Sequence, residues 1–264
     1  MDVWKEYYVY SAEWLPLAAG TGSSYTDVEV RIDTDAAFEF VKTMFQPITS
    51  RFRVRYRDDS IGKMLMKGEQ DIRTIGGTTI FSMAPGGPTA PGFLPFLWPK
   101  PYLISGATTL TVSAADFSGL AVNTRLSFHG SKVRSGKAPW ERKWARIEPY
   151  IYSISSSNTL TLAANGTASA SIATDSDAPF LVHKIVGART GPALVTIKDG
   201  ARDRQWMNIA VHFDNLVGNG HFPNVLPSPR WIEKKAVIAV TIQDLSGAAN
   251  TIELNFVGVK LHEK

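Results

Sequence analysis

Few residues in this sequence have the type and spacing that chemistry requires. Of the five histidines, His212 stands two residues before Asp214, so on a strand both side chains would share one face and the carboxylate could orient the imidazole. A hydrogen-bonded structural histidine explains the same spacing. No Gly-x-Ser-x-Gly motif supplies a nucleophile beside this pair. We therefore predict that the chain has no catalytic residue and is not an enzyme.

Paired acids occur twice, as Asp33-x-Asp35 and as Asp175-x-Asp177, each just before a predicted strand. Calcium accepts carboxylate ligands but usually takes about six or more oxygens, so two carboxylates and the backbone form a small ligand set. Turn formation by aspartate side chains needs no metal. We predict turns at both places, and no metal or cofactor.

Composition excludes several classes of protein. The 264 residues include no cysteine, which removes disulfides, thiol nucleophiles and cysteine-ligated metals. No Gly-x-x-x-x-Gly-Lys-Ser/Thr motif is present to bind ATP. With 44% apolar and 20% charged residues, and no apolar run long enough to span a bilayer, the chain is expected to be globular and soluble. The N-terminal residues do not resemble a targeting segment.

An internal repeat organises the elements that must position these residues. Asp116-Phe117-Ser118-Gly119 returns 128 residues later as Asp244-Leu245-Ser246-Gly247, and earlier segments such as Tyr8–Ser11 and Tyr150–Ser153 match at a spacing of 142. The recurring positions are Asp116, Ser118, Gly119, Phe128 and Gly130 in the first copy and Asp244, Ser246, Gly247, Phe256 and Gly258 in the second. Because each copy exceeds 100 residues, each is predicted to be a whole domain.

The repeat sets the predicted domain boundaries. Residues 1–132 form a first repeat with a Gly/Pro-rich insertion near 83–95, residues 133–148 form a basic connector, and residues 149–264 form a second repeat. The insertion is read as a surface loop, either a tolerated insertion or an arm that grips a neighbouring subunit.

Alternating apolar residues predict strands in both copies, as in Phe52-x-Val54-x-Tyr56 and Val237-x-Ala239. Pro99-x-Pro101 and its counterpart Pro227-x-Pro229 are predicted to be extended connections or edge strands, because proline donates nothing to a central ladder. The predicted fold is all-β: two tandem duplicated antiparallel β-sandwiches of jelly-roll-like topology.

Two segments could contact partners. The connector mixes bases with tryptophans, which suits stacking on nucleic acid, docking on an acidic protein, or packing on the adjacent sandwich. The proline-rich segment near residue 98 carries large apolar side chains on a rigid backbone, which suits an interface. The candidate interface residues are Phe93, Phe96, Trp98, Tyr102, Trp140, Arg142, Lys143, Trp144 and Arg146.

The segment from Asp244 to Leu254, with Phe256-Val257-Gly258-Val259-Lys260-Leu261 after it, resembles structural proteins of tailed bacteriophage virions. The resemblance reaches back through Pro227-x-Pro229 to Phe180 and implies a virion component of the neck, collar or head-decoration type.

We therefore expect a structural, non-enzymatic homo-oligomer on the phage head or at the head–tail neck or collar. Its expected partners are copies of itself and capsid, portal or tail proteins, with no membrane and no strong role for nucleic acid; it would be made in the host cytoplasm. The alternative is a carbohydrate-binding, receptor-recognition β-sandwich that uses Trp14 or Trp98.

Overall fold

A computed structural model describes residues 2–20, 24–46, 51–77, 96–154, 159–219 and 223–263, and the backbone alone of Phe96. Nearly all of its regular structure is β-strand, arranged in four antiparallel sheets. The two helices in this part of the chain are single turns. No described helix has the length and apolar character needed to cross a membrane. The predicted insertion near 83–95 and the candidate Phe93 lie outside these ranges.

The first half of the chain forms two sheets. Its elements are β1 (Val3–Leu17), β2 (Thr26–Arg31), β3 (Ala37–Gln46), β4 (Phe52–Asp58), β5 (Lys63–Met64), β6 (Gln70–Asp71), α1 (Ile72–Ile75), β7 (Phe96–Ile104), β8 (Thr109–Asp116) and β9 (Val122–Ser135). One sheet has the order β1-β9-β3-β7. The other has the order β2-β8-β4-β5, and β6 also pairs with β4.

The second half repeats this arrangement. Its elements are β10 (Arg146–Ser153), β11 (Leu160–Leu162), β12 (Thr167–Ala173), β13 (Phe180–Arg189), β14 (Ala193–Asp199), β15 (Arg204–Gln205), β16 (Val211–His212), α2 (Phe213–Leu216), β17 (Asn224–Ile232), β18 (Val237–Asp244) and β19 (Asn250–His262). The sheets run β10-β19-β13-β17 and β12-β18-β14-β15, with β11 paired to β19 and β16 to β14.

Both halves are jelly rolls. To compare the halves, we number the strands of each from 1 to 8, counting β5 with β6 and β15 with β16 as one strand and leaving β11 out. The two sheets of each half then have the orders 1-8-3-6 and 2-7-4-5, which is the jelly-roll pattern. The two sheets of the first half pack face to face, with the rings of Tyr56 and Phe128 5.3 Å apart. Trp206 and Phe256 make a similar contact, at 5.5 Å, in the second half. The predicted all-β, antiparallel, jelly-roll-like fold is confirmed, whereas descent of the two halves from one ancestor stays a hypothesis.

The recurring sequence positions have equivalent structural roles in the two halves. Asp116 accepts hydrogen bonds from the Ser118 hydroxyl (2.6 Å) and the Gly119 backbone N–H (2.9 Å). Asp244 does the same with Ser246 (2.7 Å) and Gly247 (3.1 Å). Both glycines have positive φ, so each turn needs a residue that tolerates the left-handed region. Phe128 and Phe256 are fully buried.

Proline positions also agree with the sheets. Pro99 and Pro101 lie in β7, and Pro227 and Pro229 lie in β17. Each of these strands is the last in its sheet, where a missing N–H breaks no ladder. The choice of edge strands over central strands is therefore confirmed.

The chain divides into two compact units, which do not coincide with the two halves of the sequence. One unit contains residues 9–134. The other contains residues 135–264 together with residues 1–8, the segment that begins β1. We call these units the first and second lobe.

Candidate interaction surfaces

A buried lysine holds each pair of acids. In the first lobe, the Lys132 Nζ donates to Asp33 (2.6 Å) and Asp35 (3.0 Å). In the second lobe, Lys260 contacts Asp175 and Asp177 in the same way. The lysine side chains are 8% and 6% exposed, so each ammonium group occupies the position between carboxylates that a bound cation would take. The spacing of the acids indicates calcium or simple turns but does not reveal these lysines.

The lysines also set the charge state of the acids. A hydrogen bond from Lys260 is the main reason that the pKa of Asp175 lies below its ordinary value. Burial alone would raise the pKa of Asp35, but hydrogen bonds from Lys132 and Arg134 lower it overall. An open cavity of about 530 Å³ lies beside Asp33 and Asp35. Among the described residues, no group of three or more histidine or acidic side chains is placed to hold a metal.

The predicted His212–Asp214 pair does not share a strand face. His212 ends β16 and caps α2, where its Nδ1 accepts from the Asp214 backbone N–H at 3.3 Å. The Asp214 carboxylate is held by Arg189, whose Nε donates to it at 2.6 Å. The distance from the Asp214 carboxylate to the Nδ1 of His212 is 4.0 Å. The geometry therefore supports the structural interpretation of this histidine.

The basic connector is partly neutralised by acids. Lys137 and Lys143 are exposed, but its other three bases form ion pairs: Arg134 with Asp35, Arg142 with Glu263, and Arg146 with Glu148. Lys132, just before the connector, pairs with Asp33 and Asp35. Lys132 and Arg134 belong to β9 of the first lobe. The run of positive charge in the sequence is therefore not one basic patch in the structure.

The connector tryptophans pack on the second lobe. Trp140 and Trp144 lie against the ring of Trp231, with centroids 6.4 and 6.0 Å away. Leu181 and Leu261 complete this cluster. The sequence predicts that the connector stacks on nucleic acid, docks on an acidic protein or packs on the adjacent sandwich. Trp140 and Trp144 do the third.

The aromatic residues of β7 and β1 are mostly turned inward. Trp98 is half-buried on Phe40, with ring centroids 5.1 Å apart, and Tyr102 donates a hydrogen bond to Asp58 at 3.0 Å. The exposed apolar side chains of β7 are Leu97 and Leu103. Trp14 is only 3% exposed, which removes it as a platform for a sugar ring.

The second lobe carries an apolar surface that is not among the candidate interface residues. Ile147, Pro149 and Ile151 alternate along the edge strand β10. On β19, Val259 stands opposite Pro149 and Val257 opposite Ile151, whereas Ile147 stands opposite the buried Leu261. Side chains opposite each other on paired strands point to the same face. Ile147 and Ile151 are 60% and 58% exposed, whereas Trp140 and Trp144 cover the neighbouring Leu181, Trp231 and Leu261. Val257 and Val259 are partly buried, and Val259 packs against that covered cluster. We call Ile147, Pro149, Ile151, Val257 and Val259 the outer apolar face.

The first half of the chain repeats this pattern only in part. Its equivalents of Val257, Val259 and Ile147 are His129, Ser131 and Lys5, whereas those of Pro149 and Ile151 are Tyr7 and Val9. The jelly-roll fold therefore does not require apolar residues at three of the five positions. The alternation in β10 and β19 could have revealed them, but it was read only for the residues that face the core.

Comparison with known proteins gives weak structural matches. Neither a protein-family profile nor a curated protein matches the chain. Among solved structures, N-glycanase F (PNGase F) is 10% identical, with 97% of this chain and 96% of that chain covered and a TM-score of 0.24. PNGase F from Flavobacterium meningosepticum, described as a glycosylasparaginase, is 9% identical with the same coverage and a TM-score of 0.23. A tandem CBM22 domain from Paenibacillus barcinonensis is 5% identical, covering 98% and 94%, with a TM-score of 0.19.

These matches correct one expectation. We predicted that the chain is not an enzyme, and the matched solved structures include an enzyme, the glycosylasparaginase PNGase F. The predicted absence of activity is therefore withdrawn. The likeness is too distant to transfer an activity to any residue of this chain.

The residues that carry the phage resemblance have structural roles. Asp244 to Gly247 form the turn between β18 and β19, and the Asn250 side chain ties that turn to the Gly191 backbone. The remainder of the motif is β19 itself, whose Val257 and Val259 lie on the outer apolar face.

Proposed function

We propose that this protein is a structural component of a tailed-phage virion, placed on the head or at the head–tail neck or collar, and that it assembles with copies of itself through the outer apolar face. The observation that carries the self-association is the pair of isoleucines on β10, each more than half exposed on the same face as two partly buried valines of β19. Exposed apolar patches of this kind are often protein contact sites. The virion role is supported by the resemblance of the segment from Asp244 to Leu261.

The charges around the face favour a second copy of this chain as the partner. At one end, Arg142 lies over the ring of Trp144 and pairs with Glu263 (2.6 Å). Two further charged residues on the same side of the sheet, Lys184 and Glu253, have opposite signs. A surface with both signs at its rim complements a rotated copy of itself, whereas a uniformly charged partner would leave half of these charges opposed.

The size of the face sets the expected strength. About five residues along each of two strands, at about 3.3 Å and about 4.8 Å spacing, cover on the order of 150 Å². Stable interfaces bury about 800 Å² per partner. We therefore expect weak pairwise association, with a Kd on the order of 10 µM or above, which many neighbours in a particle would reinforce.

Light scattering with size exclusion, run over a range of protein concentrations, tests the self-association. The wild-type mass should rise above 28.9 kDa with concentration. Ile151→Glu should keep the protein monomeric, because a carboxylate would be desolvated at the contact. Leu120→Glu is the matched control, since Leu120 is 72% exposed in the first lobe and should tolerate the charge.

A wild-type protein that stays monomeric throughout, or an Ile151→Glu variant that associates like the control, would refute the proposed contact. The virion role is tested separately by the neighbouring genes. A position among portal, head and tail genes supports it, and a position in an unrelated operon contradicts it.

A further inference from the structure

Four arginines line the outer side of one strand in the first lobe. Arg51, Arg53, Arg55 and Arg57 alternate with Phe52, Val54 and Tyr56, whose side chains are fully buried. Alternate residues of a strand lie about 6.7 Å apart on the same face. We call these four residues the arginine row.

Two members of the row already bind carboxylates. Arg53 pairs with Glu69 at 2.6 Å, and Arg57 pairs with Asp59 at 2.5 Å. Glu69 also accepts a hydrogen bond from the Tyr25 hydroxyl at 2.5 Å. The row therefore binds carboxylates within the chain itself.

The other two members lie over aromatic rings. The Arg51 guanidinium is 4.8 Å from the centroid of Phe117, and that of Arg55 is 3.8 Å from the centroid of Tyr25. Neither arginine forms an ion pair with any residue that the structure describes. Stacking restricts a guanidinium group, so less entropy is lost when an anion binds its N–H groups. The Arg55 Nε is buried without a hydrogen-bond partner among the described residues, so an anion would bind this residue through its terminal nitrogens.

The fold does not require these arginines. The equivalent positions in the second lobe are Pro192, Leu194, Thr196 and Lys198, on and beside β14. The same strand pairing is therefore made with one basic residue instead of four.

Acidic residues near the arginine row indicate which class of partner could bind it. Asp27 and Glu29 are exposed on β2, which is separated from β4 by β8 alone. The acid and arginine rows are thus about 10 Å apart. A nucleic acid, wide and charged along its whole length, would meet both rows, whereas a single extended peptide would follow the arginine row alone.

We propose that the arginine row binds an extended acidic protein segment with carboxylates on alternate residues. Carboxylates on alternate residues of such a segment repeat at about 6.7 Å, so those at positions i and i+4 lie about 13 Å apart. That is the spacing of Arg51 and Arg55, whereas Arg53 and Arg57 are already paired within the chain. Arg51 and Arg55 would each take one carboxylate through the planar fork of the guanidinium group. The surface lies on the first lobe and does not depend on the proposed self-association.

Fluorescence anisotropy with synthetic peptides tests this proposal. The probe is a labelled peptide of about ten residues with alternating glutamate and threonine, long enough to follow the row. The control peptide has the same number of glutamates, each separated by two threonines, so it has the same charge but places successive carboxylates on opposite faces of the extended chain. We expect the alternating peptide to bind at least about fivefold more tightly, and higher salt to weaken its binding.

Variants locate the binding. R51Q/R55Q should weaken binding of the alternating peptide about tenfold. R51K/R55K, which keeps the charge but loses the planar fork, should fall between this variant and the wild type. R142Q/R146Q removes the same charge from the second lobe and should leave binding unchanged. Thermal unfolding establishes that each variant is folded.

Three results would overturn the proposal: equal affinity for the two peptides, equal loss of affinity in R51Q/R55Q and R142Q/R146Q, or arginine-dependent binding of an oligothymidylate that exceeds peptide binding at the same salt concentration. The last result would assign the row to nucleic acid.

Discussion

Side chains at equivalent positions in the two halves can have the same structural role. Asp71 caps α1 by accepting from the Arg73 backbone N–H at 3.0 Å, and His212 caps α2 in the equivalent place. The residue type differs while the role stays the same. The histidine that looked most like a catalytic group in the sequence therefore matches a capping aspartate in the other half.

The lysine between paired acids gives a pH-dependent prediction at this scale. Replacing Lys260 by Met should lower the free energy of unfolding at pH 7 by about 1 kcal/mol, after allowance for the partly exposed carboxylates. The pKa of Asp175 is lowered in the folded protein, so its stabilising effect is present above about pH 4 and is lost as the pH falls through the folded-state value.

Urea unfolding of the wild type and Lys260→Met at pH 7 and at pH 3 measures this difference. The gap between the two proteins should shrink at pH 3. Lys198→Met, which removes an exposed pair with Asp203, should change stability little at either pH. A gap that stays constant with pH would show that Lys260 stabilises the fold by packing alone.

At the scale of elements, alternation located the strands well because each buries one face. The β3 and β4 strands lie where the apolar pattern predicted them. Pattern alone did not reveal the irregularities, such as the shift in register between Val182 and Lys184 in β13. That bulge depends on how β19 pairs with β13, and the sequence of neither strand alone specifies this long-range pairing.

Substitution of Gly258 tests the close pairing of β13 with β19. A Cβ at residue 258 would lie 2.1 Å from the Leu181 carbonyl oxygen, a backbone atom that cannot move without shifting β13. Gly258→Ala should therefore cost about 3 kcal/mol or more, or prevent folding. Gly247→Ala has positive φ but no neighbour closer than 3.9 Å, and should cost about 1 kcal/mol.

Chemical denaturation or, for an unstable variant, the yield of soluble protein ranks the two substitutions. A similar small effect for both would mean that β13 and β19 separate easily at the bulge. The expected order reflects a backbone collision in one case and a dihedral preference in the other.

At the scale of the whole molecule, the start of the chain completes the second lobe. Glu6 and Arg230 form an ion pair at 3.3 Å, with side chains only 2% and 1% exposed. The Arg230 guanidinium also donates to the Tyr7 carbonyl at 3.1 Å. The predicted boundary, with all of residues 1–132 in the first repeat, therefore differs from the division into compact units.

This ion pair gives a prediction about long-range stability. Glu6→Gln should destabilise the protein by about 3 kcal/mol, because it leaves the buried Arg230 without its carboxylate. Glu148→Gln removes an acid that is 39% exposed and should cost less than about 0.5 kcal/mol. Guanidinium denaturation followed by tryptophan fluorescence measures both changes. If Glu6→Gln were as stable as Glu148→Gln, the N-terminal segment would contribute little to the stability of the second lobe.

The sequence by itself determined the all-β class, the repeated jelly-roll pattern, the edge strands and the turn residues. These features follow from local periodicity, from the conformational limits of proline and glycine, and from repetition within one chain. Only the tertiary structure decided which charges are paired and which apolar residues are exposed. Lys132 meets Asp33 across 99 residues of sequence, and Glu6 meets Arg230 across more than 220. Contacts of this kind depend on the packing of distant strands, so charge along the chain could not show that the connector is partly neutralised or that the outer apolar face and the arginine row remain exposed.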